Sequence, residues 1–346
     1  MSRLNSLIDT AQRYDQQKLD QQQPAQAIRY NERGELVLPG DGLFACELAL
    51  PFTPWARQQV CGRLNIPYKY LTRCPGPLQA ANLNHWQGRL PAGKRWLIRG
   101  YAGQARAVLS EHYSIVDNST VLGLIQELLA KIPFDLVRPH LDPDQLHLKL
   151  TTNETQDGSY RIGCYVSNNE IGGGAIVVAP FIQRTACTNS IVYAEGGVRR
   201  AHFRLHPGFV RALLKHEIGQ ALQAGSELLD NVLVAEADEL PDLADIVADI
   251  GKRKGFNNQT QAEILMGTEG QHTRMGLVNG LSYAAHATEE LPIETRVGLE
   301  ILAGAVLGSR EPLAQVVGAN ERWLQTEESV LVRQTGRLRE QAVLSL

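Results

Sequence analysis

Hydrophobic positions follow two rhythms along this chain, and the change falls near Pro207. Before it, apolar residues come in short, often alternating runs separated by turn-prone clusters, the pattern of strands. Such runs occupy 35–39 and 44–50, split by Gly40-Asp41-Gly42, then 96–100 and 104–109, joined by a tight turn. A larger group follows at 135–139, 145–152, 160–167, 174–184, 190–194 and 198–204. In 160–166 and 198–204 the alternation (Ile162, Cys164, Val166; Val198, Ala201, Phe203) predicts one solvated face for each strand. After Pro207 the apolar spacing becomes helical, predicting helices at 208–236, 241–253, 258–267, 273–288, 292–307 and within 316–343.

Helices also punctuate the first half. Leu4, Leu7, Ile8, Ala11 and Tyr14 predict a short amphipathic helix, running into a Gln-rich linker, Gln21 to Gln26, that lacks apolar anchors and is expected to be mobile. Thr53 stands where an N-cap belongs and Pro54 at the first helical position, with Trp55, Val60 and Leu64 as the stripe and Pro67 as the stop. Asp117, Asn118 and Ser119 offer caps for a helix carrying Val121, Leu122, Ile125 and Leu129. A sheet followed by helices, without steady strand–helix alternation or an internal repeat, predicts an α+β fold. The sheet is expected to be mixed but rich in antiparallel pairs, and the C-terminal region helical. Three parts are expected: an N-terminal segment 1–44, a core domain 45–307 (sheet 96–204, helices 208–307) and a helical tail 308–346.

Composition adds limits. With 346 residues, 43% hydrophobic and 21% charged, the chain has ample material for a core and is not of the disordered class. A net charge of −3 excludes a uniformly basic nucleic-acid coat, so any such binding needs a local patch. No run approaches the roughly 18 apolar residues of a membrane span, and the first residues lack a signal core, so a cytosolic location is expected. Five cysteines (Cys46, Cys61, Cys74, Cys164, Cys187), odd in number and irregularly spaced, predict reduced thiols. Cys61, Cys74 and His85 lack the C-x-x-C pair that nucleates a zinc site, and read as packing residues.

Charge order carries the most information. Between Gly197 and His216 stand Arg199, Arg200, Arg204, Arg211 and Lys215 with three histidines and no carboxylate. From Glu217 to Ile250 there are nine acidic residues and no lysine or arginine, before Lys252, Arg253 and Lys254 arrive beside Phe256. A basic strand-to-helix corner suits phosphates, and Phe203 or Phe256 offers a stacking surface for unpaired bases. The competing reading pairs the basic strand with the acidic helix, or makes it a charged edge that prevents sheet aggregation. Alternation would set Arg200, His202 and Arg204 on one face and Arg199, Ala201 and Phe203 on the other. A second cationic group, Lys94, Arg95, Arg99 and Arg106, strengthens the nucleic-acid reading only if Arg99 and Arg106 flank the same groove.

Enzyme signatures fare worse. The run Gly172-Gly173-Gly174 lacks the following Lys-Ser/Thr and the helix of a phosphate loop, and reads as a hairpin turn or bulge. No cofactor fingerprint is present. Asp117 and Glu170 could hold a metal ion, as in a metal-dependent nuclease, but neither has a local partner at ligand spacing. Cys187 with His202 or His206 as base is outweighed by cysteine packing, and Tyr283 with His286, at i,i+3, by a local hydrogen bond.

From Arg106 through Ser110, Tyr113, Asp117 and Asn118 the sequence resembles the phage- and plasmid-borne family catalogued as domain of unknown function 932. Thr53 to Ala56, Asn65-Ile66-Pro67, Tyr70-Leu71, Leu97-Ile98-Arg99, Ser167-Asn168-Asn169-Glu170 with Gly172, Cys187-Thr188-Asn189, Asn279, Tyr283, His286 and Ala303-Gly304 carry the likeness over roughly 45–307. Asn169 and Ser190 depart from it, standing where serine and glycine are frequent. The resemblance implies a mobile-element protein acting in the cytoplasm without an established enzyme activity. Its sheet-plus-helix layout is similar in outline to single-strand annealing proteins of phage recombination, an analogy of fold alone.

Together these readings give a non-catalytic, single-stranded DNA-binding, annealing-type protein of a phage or plasmid. Arg199, Arg200, Phe203, Arg204, Arg211 and Lys215 would form the binding corner, extended by Lys252, Arg253, Lys254, Arg99 and Arg106. A homo-oligomer is expected, the acidic segment 217–250 meeting a neighbour's basic corner. The alternatives are a protein-interaction or host-takeover factor whose basic corner meets an acidic partner, and a metal-dependent nuclease.

Overall fold

The computed structural model describes residues 2–40, 46–130, 132–155, 158–185, 190–287 and 291–309, with Leu313 and Val316. Its elements are α1 (Ser2–Asp15), β1 (Lys18–Pro24), β2 (Arg29–Tyr30), β3 (Leu36–Leu38), β4 (Leu48–Leu50), α2 (Pro54–Leu64), α3 (Tyr68–Leu71) and α4 (Gly76–Gln87). Then come β5 (Arg95–Tyr101), β6 (Gln104–Ser110), α5 (Asn118–Leu128), β7 (Asp135–Leu136), β8 (His140–Leu141), β9 (Gln145–Glu154), β10 (Tyr160–Asn169), β11 (Ile176–Arg184), β12 (Ser190–Val192) and β13 (Val198–Arg200). The helices α6 (Pro207–Ala237), α7 (Leu243–Lys254), α8 (Asn258–Gly267), α9 (Arg274–Ala287) and α10 (Ile293–Gly308) complete the order. The α+β expectation holds, with sheets in the first two thirds, helices after Pro207, and every ladder between these strands antiparallel. No helix among the described residues is long and apolar enough to cross a membrane.

The large sheet runs β12-β11-β10-β9-β7, with β13 paired to β11 and β8 to β9. Strand β10 is covered on both sides, against the expectation of a solvated face. Cys164 and Val166 pack with α1, α5 and the first half of α6, while Tyr165 faces α10 through Val297 and Ile301. Alternation of apolar side chains records only that the two faces differ; the helices arriving from distant sequence decide whether both are covered. Gly304 lets α10 lie directly on β12, since a Cβ there would come within 2.1 Å of the Val192 carbonyl.

A second correction concerns the Gln-rich segment, which is a strand rather than a mobile linker. β1 pairs with β5 across its whole length, setting Asp20 opposite Arg99, and the small sheet β1-β5-β6 results. Glutamine has modest strand preference of its own, so the partner strand supplies the order. Helix α1 likewise belongs to the core, with Leu4 and Ala11 buried against α5. The predicted Thr53 cap is present, its hydroxyl accepting from Ala56 N at 3.2 Å. Residues 41–45 with part of the Gly40-Asp41-Gly42 turn, Cys187, and almost all of the expected tail beyond 309 lie outside the described residues.

Candidate functional site: a buried charge cluster beside an exposed basic corner

Two edges of the small sheet converge on the end of β10. The β5–β6 register slips between Arg99 and Gly100, whose partners are Ala107 and Ala105, so Arg106 is the extra residue of a β-bulge. A bulge turns its extra side chain to the neighbouring face. Here Arg106 joins Arg99 on the side where Glu170, just after β10, is buried.

The resulting cluster is dense. Arg99 is 0% exposed and grips Asp20 with Nε and Nη2 at 2.8 and 2.9 Å. Its Nη2 also donates to Asp117 Oδ1 at 2.7 Å and its Nη1 to the Glu170 carbonyl at 2.8 Å. Arg106 Nη2 donates to Glu170 Oε2 at 2.7 Å, and Nη1 to the Pro143 carbonyl and to Asp144 at 3.3 Å. Lys18 Nζ completes the set, bonded to Asp15, 3.0 Å from Asp117 and 2.7 Å from Glu170. Asp117 sits at the N-cap position of α5 but its side chain makes no cap; Glu170 Oε1 accepts from Asn118 N at 2.7 Å instead. A distant carboxylate thus caps the helix and meets its positive end.

Burial pushes the Asp117 carboxyl upward, but Arg99 and Lys18 outweigh it and hold it down at about 2. Burial lowers the Lys18 ammonium, and Glu170, Asp15 and Asp117 more than reverse that, so it is raised overall. Among the described residues, the one group of metal-ligand types at suitable spacing is Asp15, Asp117 and Glu170, with ligand atoms within 4.8 Å of one another. Asp117 and Glu170 therefore do find partners, contrary to their isolation in sequence. The Lys18 ammonium stands among all three carboxylates and supplies the positive charge there.

Arg99 and Arg106 consequently do not flank a groove. Both guanidinium groups are inside, engaged by carboxylates, and cannot reach a phosphate; the expected extension of the binding corner through them is overturned. Sequence showed two cations on a strand pair but not the four carboxylates around them (Asp20, Asp117, Asp144, Glu170), which come from four separate segments, nor Asp15, which joins the cluster through Lys18. Lys18 and Asp20 were missed because they lie between the predicted first helix and the segment read as a linker, where no strand was expected; their alternation with Gln22 was the available signal.

A hydrogen-bond chain links the cluster to the surface. Asn168 Nδ2 donates to the Val116 carbonyl at 2.9 Å and to Asn118 Oδ1 at 2.8 Å, while buried His202 donates from Nε2 to Asn168 Oδ1 at 2.8 Å. Around His202 the chain leaves the sheet. β13 ends at Arg200, and residues 202–204 pair with 112–114: Ser114 N donates to His202 O at 2.8 Å and Arg204 N to His112 O at 3.0 Å. The expected strand to 204 and its sorting of faces are therefore corrected. His202 is buried, while neighbouring Phe203 and Arg204 both point outward.

This corner is open to solvent. Phe203 is 39% exposed, with the Arg204 guanidinium 5.3 Å from its ring centre and the His112 ring edge-on at 5.8 Å. Arg204 holds a left-handed backbone (φ 53°), a conformation that arginine adopts at a cost. Arg200 and Lys215 are exposed nearby in sequence, Arg211 meets Glu127 in a half-exposed pair, and Phe209 is exposed on the first turn of α6.

Comparison with family models, with curated proteins and with solved structures finds no match to this chain, so its chemistry is read from its own geometry.

The remaining candidates scatter. Arg199 lines a cavity of about 130 Å³ between the sheet and α10, with His147, Tyr165 and Asn168. Lys252, Arg253 and Lys254 close α7, where cations complement the helix dipole, and Arg253 pairs with Asp249 at 2.8 Å. α7 packs on α8, in the core cluster that the second half of α6 also joins, so this trio does not extend the corner at the first turns of α6. The glycine run is the β10–β11 hairpin connection as expected: Asn169 Oδ1 accepts from Ile171 N and Gly173 N, and Gly172 (φ +75°) leaves no room for a Cβ beside Leu109. Tyr283 lies on the exposed side of α9, whereas His286 faces the buried Glu300 at 2.8 Å, which also pairs with Lys149.

Proposed function

We propose that this chain binds single-stranded DNA through the corner made by β13, residues 201–206 and the first turns of α6, acting without chemistry of its own as an annealing-type protein. The observation that carries the reading is Phe203, held half-exposed by backbone pairing to residues 112–114 and topped by Arg204. An aromatic face set among solvated cations suits an unpaired base and its phosphates, because every base has a stacking face and every phosphate releases counterions. Arg200, Arg204, Arg211 and Lys215 supply the charge; the Arg211–Glu127 pair, exposed on both sides, exchanges readily for a phosphate. Resemblance to a family of phage and plasmid proteins points toward the same use.

Fluorescence anisotropy with an unstructured oligonucleotide tests this. Binding by three or four phosphates gives a slope of log affinity against log salt of about −2 to −3 for a single strand. Arg200→Ala/Arg204→Ala should flatten that slope by about one unit or more, and Phe203→Ala should weaken binding at every salt concentration. Affinity that stays flat with salt, or variants that bind like the parent, sink the reading. Capture of an acidic protein by a corner that ignores oligonucleotide would replace it with the protein-interaction reading.

A further inference from the structure

Helix α6 is charged in an order that its own dipole opposes. Its first turn has no carboxylate, and its last carries Glu236 and no cation, whereas a helix gains from acids at its start and bases at its end. The exposed face changes sign along the helix. Arg211 and Lys215 lie on the early turns; Glu227, Asp230 and Glu236 lie on the late ones, all exposed and without a cationic partner among the described residues. Asp230, Leu233, Val234 and Ala237 fall at i, i+3, i+4 and i+7, one stripe of the helix. Leu233 is 73% exposed and Val234 54%. The late half therefore presents an apolar pair rimmed by carboxylates, and the early half, with residues 203–204, presents the exposed cations Arg204, Arg211 and Lys215 and the half-exposed Phe203 beneath Arg204.

These two patches match each other but cannot meet within one molecule. Arg211 and Asp230 are nineteen residues apart on a rigid helix, about 28 Å along the axis, several times the roughly 8 Å Debye length at physiological salt. The complement of each patch is the other patch on a different copy. We propose that the chain self-associates head to tail, the late half of α6 (Glu227, Asp230, Leu233, Val234, Glu236) docking on the basic corner of a second copy. Such a contact is heterologous, so each added copy leaves one head and one tail free, and assembly continues until a ring closes. The inference goes beyond nucleic-acid binding and does not depend on it.

Sedimentation of the nuclease-treated full chain, without oligonucleotide, tests it. The parent should associate at about 50 mM salt and fall apart, with at least a tenfold weaker association, at about 500 mM. A tail variant, Glu227→Lys/Asp230→Lys, and a head variant, Arg204→Glu/Lys215→Glu, should each remain monomeric; mixing the two restores association. Leu233→Ser should weaken association several-fold without changing charge, because it removes the apolar anchor. All these positions are exposed, and thermal melts check that each variant folds. A parent that is monomeric at low salt, charge variants that assemble like it, or indifference to Leu233→Ser overturns the proposal. The tail variant keeps the corner intact, so its oligonucleotide binding reports separately on the proposed function.

Discussion

Arg99 and Arg204 carry the same guanidinium into opposite surroundings. Arg99, on the central strand of the small sheet, is stripped of water and held by Asp20, Asp117 and the Glu170 carbonyl. Arg204, on a strained turn at the surface, has a phenyl ring beneath it and no carboxylate at salt-bridge distance among the described residues. A desolvated cation must be matched by its own protein, because leaving it alone costs several kcal/mol. A solvated one carries no such debt and is available to a partner. The first kind of charge fixes which segments come together; the second fixes what the finished surface attracts.

The sharpest way to break this contrast is stability. Arg99→Ala leaves Asp20, Asp117 and Glu170 without their shared cation and should cost about 3–5 kcal/mol in urea denaturation. Arg200→Ala/Arg204→Ala should stay within about 0.5 kcal/mol of the parent, as surface changes do. Equal costs would erase the distinction. Next in size is Phe203→Ala, expected to remove about 1–3 kcal/mol of single-strand affinity while leaving the melting curve where it was; anisotropy and calorimetry together separate the two effects.

Acid provides a third handle. Because Asp117 is held at about 2 against an ordinary 3.8, it contributes stability that is present above 3.8 and drains away as pH falls through about 2. Asp117→Asn should thus be less stable than the parent at neutral pH by up to about 2 kcal/mol, with the gap closing by pH 2; a constant gap would refute the linkage. The smallest expected effect lies at the alkaline end. Lys18 is raised above 10.5, so its contribution is complete below 10.5 and is lost as pH climbs through the raised value. Lys18→Met should flatten that alkaline loss.

Much of the secondary structure was legible because it is written in local chemistry. Thr53-Pro54 opens α2, the glycine run turns between β10 and β11, and the helices after Pro207 follow the apolar spacing to within a few residues. The Gln-rich strand was not legible, since its order comes from β5 and not from its own side chains. Nor was the fate of the strand at 198–204: three residues of pairing to β11 give way to pairing with 112–114, a choice between two distant partners. The candidate site divides the same way. The basic corner was visible as an unbroken run of charge, whereas the buried cluster was visible only as unrelated residues.

By itself, then, the sequence determined the α+β order and the sign change along α6, because period, caps and charge act over a few residues. The tertiary structure alone decided that Arg99 and Arg106 turn inward, that Asp117 and Glu170 share Lys18, and that Phe203 stands out beside a buried His202. Those outcomes depend on a one-residue bulge and on carboxylates supplied from segments more than a hundred residues apart, and desolvation acts on the assembled neighbourhood, not on the chain.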